Sequence, residues 1–190
     1  MALAITPFAA LCGFLPPTRI ATYLRVPELA TLIPQDILYK FLAAAPTADP
    51  SDPASRQLLR DVFSAVMTAP ASTITTQLSN LTTRYEAGAL YPEEEDVREL
   101  VLRLNAQFPN DIGIFCTFLL NYVKLSPGEA IFLGAGEPHA YISGGQHPSP
   151  SSCICTLISY AMQISSNAWP IQTMSSALGS RPNCVTSRTW

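Results

Sequence analysis

Residues 104–144 decide the fold, and they read LNAQFPNDIGIFCTFLLNYVKLSPGEAIFLGAGEPHAYISG. Within them, the run Ile112–Val123 is apolar and rich in β-branched and aromatic residues, which predicts a strand. Residues Ser126–Glu129 place a proline at the second position of a turn, and Ala130–Ala135 forms the next apolar run. Glycine and proline end that run just before His139. The pattern therefore predicts a β-hairpin or β-arch whose second strand delivers a histidine at its end.

Upstream of this stretch, in residues 18–108, apolar side chains recur at helical spacing. The predicted helices are Arg19–Leu24 after Thr18, two short pieces that begin at Pro27 and Pro34, Ser55–Met67, Ala71–Tyr85 and a helix opened by Pro92. The last two are expected to bury one face each, made of Ile74, Leu78, Leu81 and Tyr85 in the first and Val97, Leu100, Val101 and Leu104 in the second.

The acidic run at residues 93–96 follows Pro92 directly. A cation-binding patch is one interpretation of such a run. The other is the negatively charged first turn of a helix, which the helix dipole favours. The sequence favours the second interpretation because the proline and the helical spacing coincide there.

The first fourteen residues carry apolar side chains on both faces of an alternating pattern, which predicts a strand buried on both sides. Pro7 either ends this strand or confines it to the edge of a sheet.

Charge is distributed very unevenly along the chain. All fourteen acidic residues lie between Glu28 and Glu137, and the only charges in residues 146–190 are Arg181 and Arg188. That segment shows no helical or strand period, and charged residues normally cover a solvated surface. We therefore expect a disordered tail there, which is a linker, a low-complexity segment or a stretch not selected as protein, such as a translated intron or a shifted frame.

Composition excludes several classes of function. The 190 residues carry a net charge of −3, which argues against a nucleic-acid-binding protein. No apolar run approaches the roughly 20 residues that span a bilayer, and the apolar start of the chain lacks the basic residues of a secretory signal. Five cysteines without a Cys-x-x-Cys pair indicate reduced thiols. We expect a cytoplasmic protein that binds neither nucleic acid nor membrane.

His139 is the candidate functional residue, because glycine and proline fix the backbone direction around it. His147, the other histidine, lies in the atypical tail and is assigned no role. A zinc site needs three or four ligands, and no other ligands occur at a recognisable spacing. On chemistry alone, His139 can be either a metal ligand or a structural histidine.

The segments Asp111–Gly113 and His139–Tyr141, with the hairpin between them, resemble type I phosphomannose isomerase, which is also called mannose-6-phosphate isomerase. The opening residues 1–14 resemble the same family, and the helices between are similar to its helical insertion. The resemblance implies a zinc enzyme with a cupin-type β core that interconverts mannose 6-phosphate and fructose 6-phosphate for GDP-mannose synthesis. It places His139 at a metal-ligand position and Tyr141 in the pocket for the sugar phosphate.

The resemblance thus implies an α+β fold, with a helical insertion domain, part of a cupin-type β barrel and a disordered tail. The expected domains are a cupin core strand at 1–14, the helical insertion at 15–108, a cupin hairpin carrying His139 at 109–145 and the non-family tail at 146–190.

Departures from the family pattern are equally informative. The family's other zinc ligands, a Gln, a His and a Glu, would precede residue 1, and its active-site Arg block has no counterpart after Gly144. Arg181 and Arg188 lie in no matching context, so no catalytic residue is assigned. Glu137 is the one substitute ligand considered, whereas Glu129 at the turn is expected to be solvated.

We therefore expect a truncated, inactive family member. The alternatives are a non-catalytic protein that acts through protein contacts and an independent cupin-like binding module.

Overall fold

The computed structural model describes residues 2–49, 51–132 and 137–144. The tail predicted at 146–190 lies outside the described residues. The chain divides into two compact units: a sheet unit made of Met1–Phe14 and Leu120–Trp190, and a helical unit made of Leu15–Leu119.

The helical unit contains the following elements in its described residues: α1 (Pro17–Tyr23), α2 (Pro27–Ala30), α3 (Gln35–Ala44), α4 (Pro53–Met67), α5 (Ala71–Glu86) and α6 (Glu95–Gln107). Short 3₁₀ turns lie at Ala45–Thr47, Pro92–Glu94 and Ile112–Phe118. Its core includes the fully buried side chains of Ile20, Tyr23, Leu24, Leu29, Phe63, Ile74, Leu78, Leu81, Tyr85, Phe115 and Phe118.

Local chemistry explains where these helices begin and which face they bury. The Asp52 carboxylate caps α4 by accepting a hydrogen bond from the Ser55 amide at 2.8 Å, and Pro53 occupies the first turn. Hydrogen bonds from Ser55 hold the pKa of Asp52 below its usual range. In α5 and α6, the predicted faces are confirmed, since all eight apolar residues of the two stripes are buried.

The strand predicted at Ile112–Val123 is wrong for its first part. Residues Ile112–Phe118 form a 3₁₀ helix, and all seven are buried. Asp111 caps this helix by accepting a hydrogen bond from the Gly113 amide at 2.7 Å. A run that is apolar on every side fits a buried turn of helix as well as a strand, so composition alone could not distinguish them.

The sheet unit contains two antiparallel ladders in its described residues. Strand β1 (Ala2–Leu3) pairs with β4 (Ala130–Ile131), and a three-stranded sheet has the order β3–β2–β5, with β2 (Phe8–Phe14) between β3 (Leu120–Leu125) and β5 (His139–Ser143).

The predicted hairpin is therefore wrong in its pairing. Strand β3 pairs with β2, whereas β4 pairs with β1, so the turn at 126–129 leads from one ladder to the other. Strands β3 and β4 therefore each pair with an N-terminal strand. The alternation of apolar and polar residues within a strand does not show which strand, more than 100 positions away, pairs with it. His139 also begins strand β5 rather than ending β4.

These helices and antiparallel ladders confirm the α+β class predicted from the sequence. In the part of the chain that the structure describes, none of the helices has the length and apolar character that crossing a membrane requires.

Candidate functional site

Strand pairing brings three polar side chains into one row. Cys12 on the central strand β2 lies opposite Asn121 on β3 and opposite His139 on β5. Side chains of directly opposed residues in antiparallel strands lie on the same face of the sheet. Asn121, Cys12 and His139 therefore share a face, although more than 100 positions separate Cys12 from each of its two partners in sequence.

The imidazole of His139 is held by its own strand. Its Nδ1 lies 3.0 Å from the carbonyl oxygen of Glu137. Because a carbonyl only accepts hydrogen bonds, Nδ1 carries the proton, and in the neutral ring the lone pair lies on Nε2. Metal-binding histidines are oriented in this way, with one ring nitrogen donating to a carbonyl and the other free to coordinate.

Tyr141 lies next to this imidazole. The two rings have their centroids 5.8 Å apart, and Tyr141 also packs edge-on against Phe8 at 5.3 Å. Tyr141 remains 46% exposed. Phe8 and His139 thus fix a partly exposed phenol beside the candidate ligand, which is an arrangement suited to lining a binding site.

A backbone bulge lies beside His139. Cys12 pairs with Asn121 and Phe14 pairs with Leu120, so Gly13 is an extra residue in β2. Gly13 has a φ of +63°, a conformation that glycine adopts without strain. Its amide donates a hydrogen bond to the carbonyl oxygen of Pro138 at 2.9 Å.

The two acidic residues weighed as ligands, Glu137 and Glu129, do not complete a metal site with this row in the described residues. Glu137 is exposed, and its carboxylate lies near Gly13. Burial raises the pKa of the Cys12 thiol, and the charge of Glu137 raises it further, so the thiolate is disfavoured. Glu129 is exposed, as predicted, and its carboxylate accepts a hydrogen bond from the Ser126 amide at 2.6 Å. Among residues 2–49, 51–132 and 137–144, no three His, Cys, Asp or Glu side chains are grouped to hold a metal ion.

The acidic run at 93–96 starts a helix, as the sequence favoured, and one member is fully buried. Glu94 has no exposed surface and receives hydrogen bonds from two nitrogens of Arg84 at 2.6 and 2.7 Å and from the Tyr85 hydroxyl at 3.0 Å. Arg84 also binds both carboxylate oxygens of Glu28, at 2.9 and 3.0 Å. The carboxylate of Glu94 is thus consumed by internal partners and is not a cation site.

Sequence reasoning missed two residues of this structure, Arg84 and Asn121. Arg84 is the basic residue in the last turn of α5, and its partner Glu28 lies 56 positions away. Asn121 interrupts the apolar run 112–123 with an amide, and a lone amide in such a run was the available signal.

Sequence comparison shows which known proteins this chain is similar to. Residues 32–120 match the helical insertion domain of phosphomannose isomerase type I. The mannose-6-phosphate isomerase of Saccharomyces cerevisiae is 42% identical over 150 residues, which covers 76% of this chain and 35% of the yeast protein. Mannose-6-phosphate isomerase 1 of Arabidopsis thaliana is 38% identical over 145 residues, which covers 76% of this chain and 33% of the plant protein. The chain thus spans about a third of the length of the curated relatives it matches.

Structural comparison leads to the same family. The mannose 6-phosphate isomerase of Salmonella typhimurium, solved with its substrate and zinc bound, matches with a TM-score of 0.54 and 28% identity. The match covers 75% of this chain and 32% of the bacterial chain. By its helical domain, its mixed fold and its identity to the yeast and plant proteins, the chain belongs to the type I phosphomannose isomerase family.

Proposed function

We propose that the segment shared with the isomerases serves the zinc-dependent interconversion of mannose 6-phosphate and fructose 6-phosphate, and that the 190-residue chain on its own does not catalyse it. The observation that carries the first part is the imidazole of His139, whose Nδ1 donates to the Glu137 carbonyl and whose Nε2 is oriented as a ligand nitrogen. The solved bacterial relative with substrate and zinc supports the assignment.

The proposal assigns different parts of the reaction to different residues. His139 is one ligand of the zinc ion, and Tyr141 lines the pocket for the sugar phosphate. The isomerisation moves a proton between neighbouring sugar carbons, and a bound metal polarises the oxygens on those carbons. Feeding GDP-mannose synthesis is part of the proposal, and so is the cytoplasm as compartment, which the free thiols of Cys12 and Cys116 support.

The second part of the proposal follows from counting ligands. Catalytic zinc is held by three protein ligands, and the described part of the chain groups no three suitable side chains. The exposed Glu137 does not change this count. His139 therefore fits a zinc site as one member of a larger ligand set, and the described residues do not form a complete site.

The domain organisation is also a proposal. We infer that residues 1–14 and 109–145 belong to a cupin-type barrel, that 15–108 form its helical insertion and that 146–190 lie outside the family pattern. The two antiparallel ladders and the match of residues 32–120 to the helical insertion domain support this division.

A chimera tests the first part of the proposal. Residues 1–144 replace the matching segment of the Saccharomyces cerevisiae isomerase, and a coupled assay measures conversion of mannose 6-phosphate with zinc present. We expect zinc-dependent turnover that His139→Ala abolishes and Ser143→Ala retains, because Ser143 is an exposed residue of the same strand. A folded but inactive chimera contradicts the assignment and favours a non-catalytic protein. An active His139→Ala chimera contradicts the role of His139 as a zinc ligand.

The 190-residue chain itself tests the second part. In the same assay with added zinc, we expect no turnover above the rate without protein. Zinc-dependent turnover that His139→Ala abolishes would contradict this, because it would mean that the chain completes a metal site.

A further inference from the structure

We propose that Asn121 is a positioning residue, whose side-chain amide holds the bulge of β2 in the shape that orients His139. The proposal rests on the proposed function only in taking His139 as the ligand. It concerns a residue on another strand that makes no contact with substrate or metal in this assignment.

The first observation is the set of hydrogen-bond acceptors around the amide of Asn121. Its Nδ2 lies 3.2 Å from the carbonyl oxygens of Cys12 and Gly13 and 2.9 Å from that of Phe14. Three consecutive carbonyls converge on one NH₂ group, so the nitrogen and not the oxygen of the amide must face them. A half-buried side chain bonded in this way stabilises one particular backbone shape.

The second observation explains why a side-chain donor is needed. Gly13 has no pairing partner on β3, because its neighbours Cys12 and Phe14 pair with Asn121 and Leu120. A bulge leaves its extra residue outside the ladder, and the backbone carbonyl there lacks the usual strand donor. The Asn121 amide supplies a hydrogen bond to the Gly13 carbonyl at this point, and Gly13 has the left-handed φ that glycine adopts without strain.

The third observation connects the bulge to the imidazole. The Gly13 amide donates to the carbonyl oxygen of Pro138 at 2.9 Å, and Cys12 is the direct cross-strand partner of His139. The backbone of residues 137–139 is thus attached to the bulge on one side. On the other side, the Glu137 carbonyl accepts the hydrogen bond from Nδ1 of His139. Moving the bulge moves Pro138 and changes the angle between the Glu137 carbonyl and the ring.

A purely structural role and a positioning role make different predictions. If Asn121 only stabilises the sheet, its loss lowers stability and leaves the imidazole of the folded protein unchanged. If Asn121 positions His139, its loss weakens the Nδ1 hydrogen bond in protein that is still folded. The proton then redistributes from Nδ1 to Nε2, which blocks the nitrogen that would bind a metal.

The experiment measures this tautomer directly on the full 190-residue chain. Ring ¹⁵N chemical shifts are recorded at a pH at which the shifts themselves show a neutral ring, and the signals of His139 are assigned with His139→Ala. The test variant is Asn121→Leu, which is similar in size, removes the donor and adds no charge. Its control is Val123→Ala, on the same strand and opposite Ala10, which removes packing and leaves the bulge intact.

We expect the wild-type chain and Val123→Ala to show the Nδ1–H tautomer. In Asn121→Leu the ratio of Nδ1–H to Nε2–H should fall roughly two- to tenfold, the range that corresponds to losing one hydrogen bond. Where Asn121→Leu does not fold, Asn121→Ser, whose short hydroxyl reaches fewer carbonyls, is expected to show a smaller fall in the same direction.

An unchanged ratio in a folded Asn121 variant overturns the proposal, and so does an equal fall in Val123→Ala, because either result makes the role of Asn121 structural. No metal, substrate or turnover enters the measurement. An inactive chimera would therefore contradict the proposed function and leave this result standing, while an unchanged tautomer would leave the proposed function standing.

Discussion

The two units hold their polar groups in opposite ways. In the helical unit, Arg84 and its carboxylate partners form a closed cluster, in which every strong donor of the guanidinium has an acceptor within the unit. In the sheet unit, Nδ1 of His139 is hydrogen-bonded to the carbonyl oxygen of Glu137, whereas Nε2 is the nitrogen that the proposed function assigns to a metal ion. Both features involve polar residues near acidic ones, but the proposed function assigns an external partner, a metal ion, only to His139. We interpret the closed cluster as structural and the oriented imidazole as part of the proposed site.

The closed cluster can be counted bond by bond. A guanidinium has five N–H donors, and those of Arg84 bind both oxygens of Glu28, both oxygens of Glu94 and the carbonyl oxygen of Ala89. The rings of Tyr85 and Tyr91 lie against the guanidinium at 5.1 and 4.8 Å. Hydrogen bonds from Arg84 to Glu94 and Glu28 raise the pKa of Arg84 despite burial, so the group is permanently charged.

The largest expected effect is the loss of this guanidinium. Arg84→Met leaves two buried carboxylates without a counter-charge, which costs about 3–5 kcal/mol of the free energy of unfolding. Urea denaturation followed by circular dichroism measures the loss. The matched control is Lys40→Met, because the Asp36–Lys40 pair is about two-thirds exposed on both sides. That control should change stability by less than about 1 kcal/mol. A similar loss in both variants would mean that the cluster is no more important than a surface pair.

The sheet unit has its own sensitive point, at the glycine that follows the His139 strand. Gly144 has a φ of +102°, and a Cβ there would lie 2.6 Å from Cα of Phe8 and 2.7 Å from the carbonyl oxygen of Pro7. Gly128 has a φ of +93° and nothing within 4 Å of the same position. Gly144→Ala should therefore cost about 1–3 kcal/mol more than Gly128→Ala, since only the first adds a backbone clash to the strained φ. Equal losses of stability in the two variants would show that the backbone at Gly144 can move away from Pro7 and Phe8 and relieve the clash.

The sequence predicted the helical unit better than the sheet unit, for a physical reason. The buried faces of α5 and α6 follow from a period of 3.6 residues, which is a property of neighbouring residues. The pairing of β4 with β1 joins residues far apart in the chain, for example Ala2 with Ile131, and no local pattern encodes it. The run 112–118 reads as a strand for the same reason, because only the packed structure shows that it is buried on every side.

The candidate site was predictable where the motif is local and not where it depends on pairing. His139 and Tyr141 are two positions apart on one strand, so their proximity follows from strand alternation. Asn121 and Gly13 come together only when β3 pairs with β2, 108 positions away. The acidic run at 93–96 is recognisable as a helix start, but the pairing of Glu94 with Arg84 required the packed helices.

Acid should weaken the closed cluster selectively. Burial raises the pKa of Glu94, but hydrogen bonds from Arg84, the Tyr91 amide and Tyr85 outweigh burial and hold this pKa below its usual range. A carboxyl with a lowered folded pKa stabilises the protein above its unfolded pKa, about 4.3, and loses that contribution as the pH falls through the folded value.

The measurement for this effect is the free energy of unfolding between about pH 7 and pH 3. Glu94→Gln should be less stable than wild type at neutral pH, and the difference should shrink as acid is added. A constant difference across the range would mean that Glu94 does not titrate with folding.

The smallest effect concerns the contact of Tyr23 and Arg19 with Asp96, which is more exposed than the cluster around Arg84. The buried Tyr23 hydroxyl donates to Asp96 at 2.9 Å, and Arg19 binds the same carboxylate at 2.5 Å, but Asp96 is 57% exposed. Because water competes at this carboxylate, Tyr23→Phe should cost only about 1 kcal/mol at neutral pH. Tyr39→Phe, at an exposed tyrosine of α3, should cost close to nothing.

Alkaline titration separates this contact from packing. Burial and the hydrogen bond to Asp96 raise the pKa of Tyr23 to about 12, and Arg19 opposes the shift only in part. The unfolded chain therefore loses this proton near pH 10, whereas the folded chain keeps it until about pH 12, so the contribution is complete below pH 10 and is lost between these values. Wild-type stability should consequently fall more steeply than that of Tyr23→Phe across this window. Burial also raises the pKa of Tyr85, but Tyr85 is present in both proteins and cancels from the difference. If the two curves run parallel from about pH 9 to pH 12, the hydroxyl of Tyr23 is solvated in the folded protein and its contact with Asp96 contributes nothing.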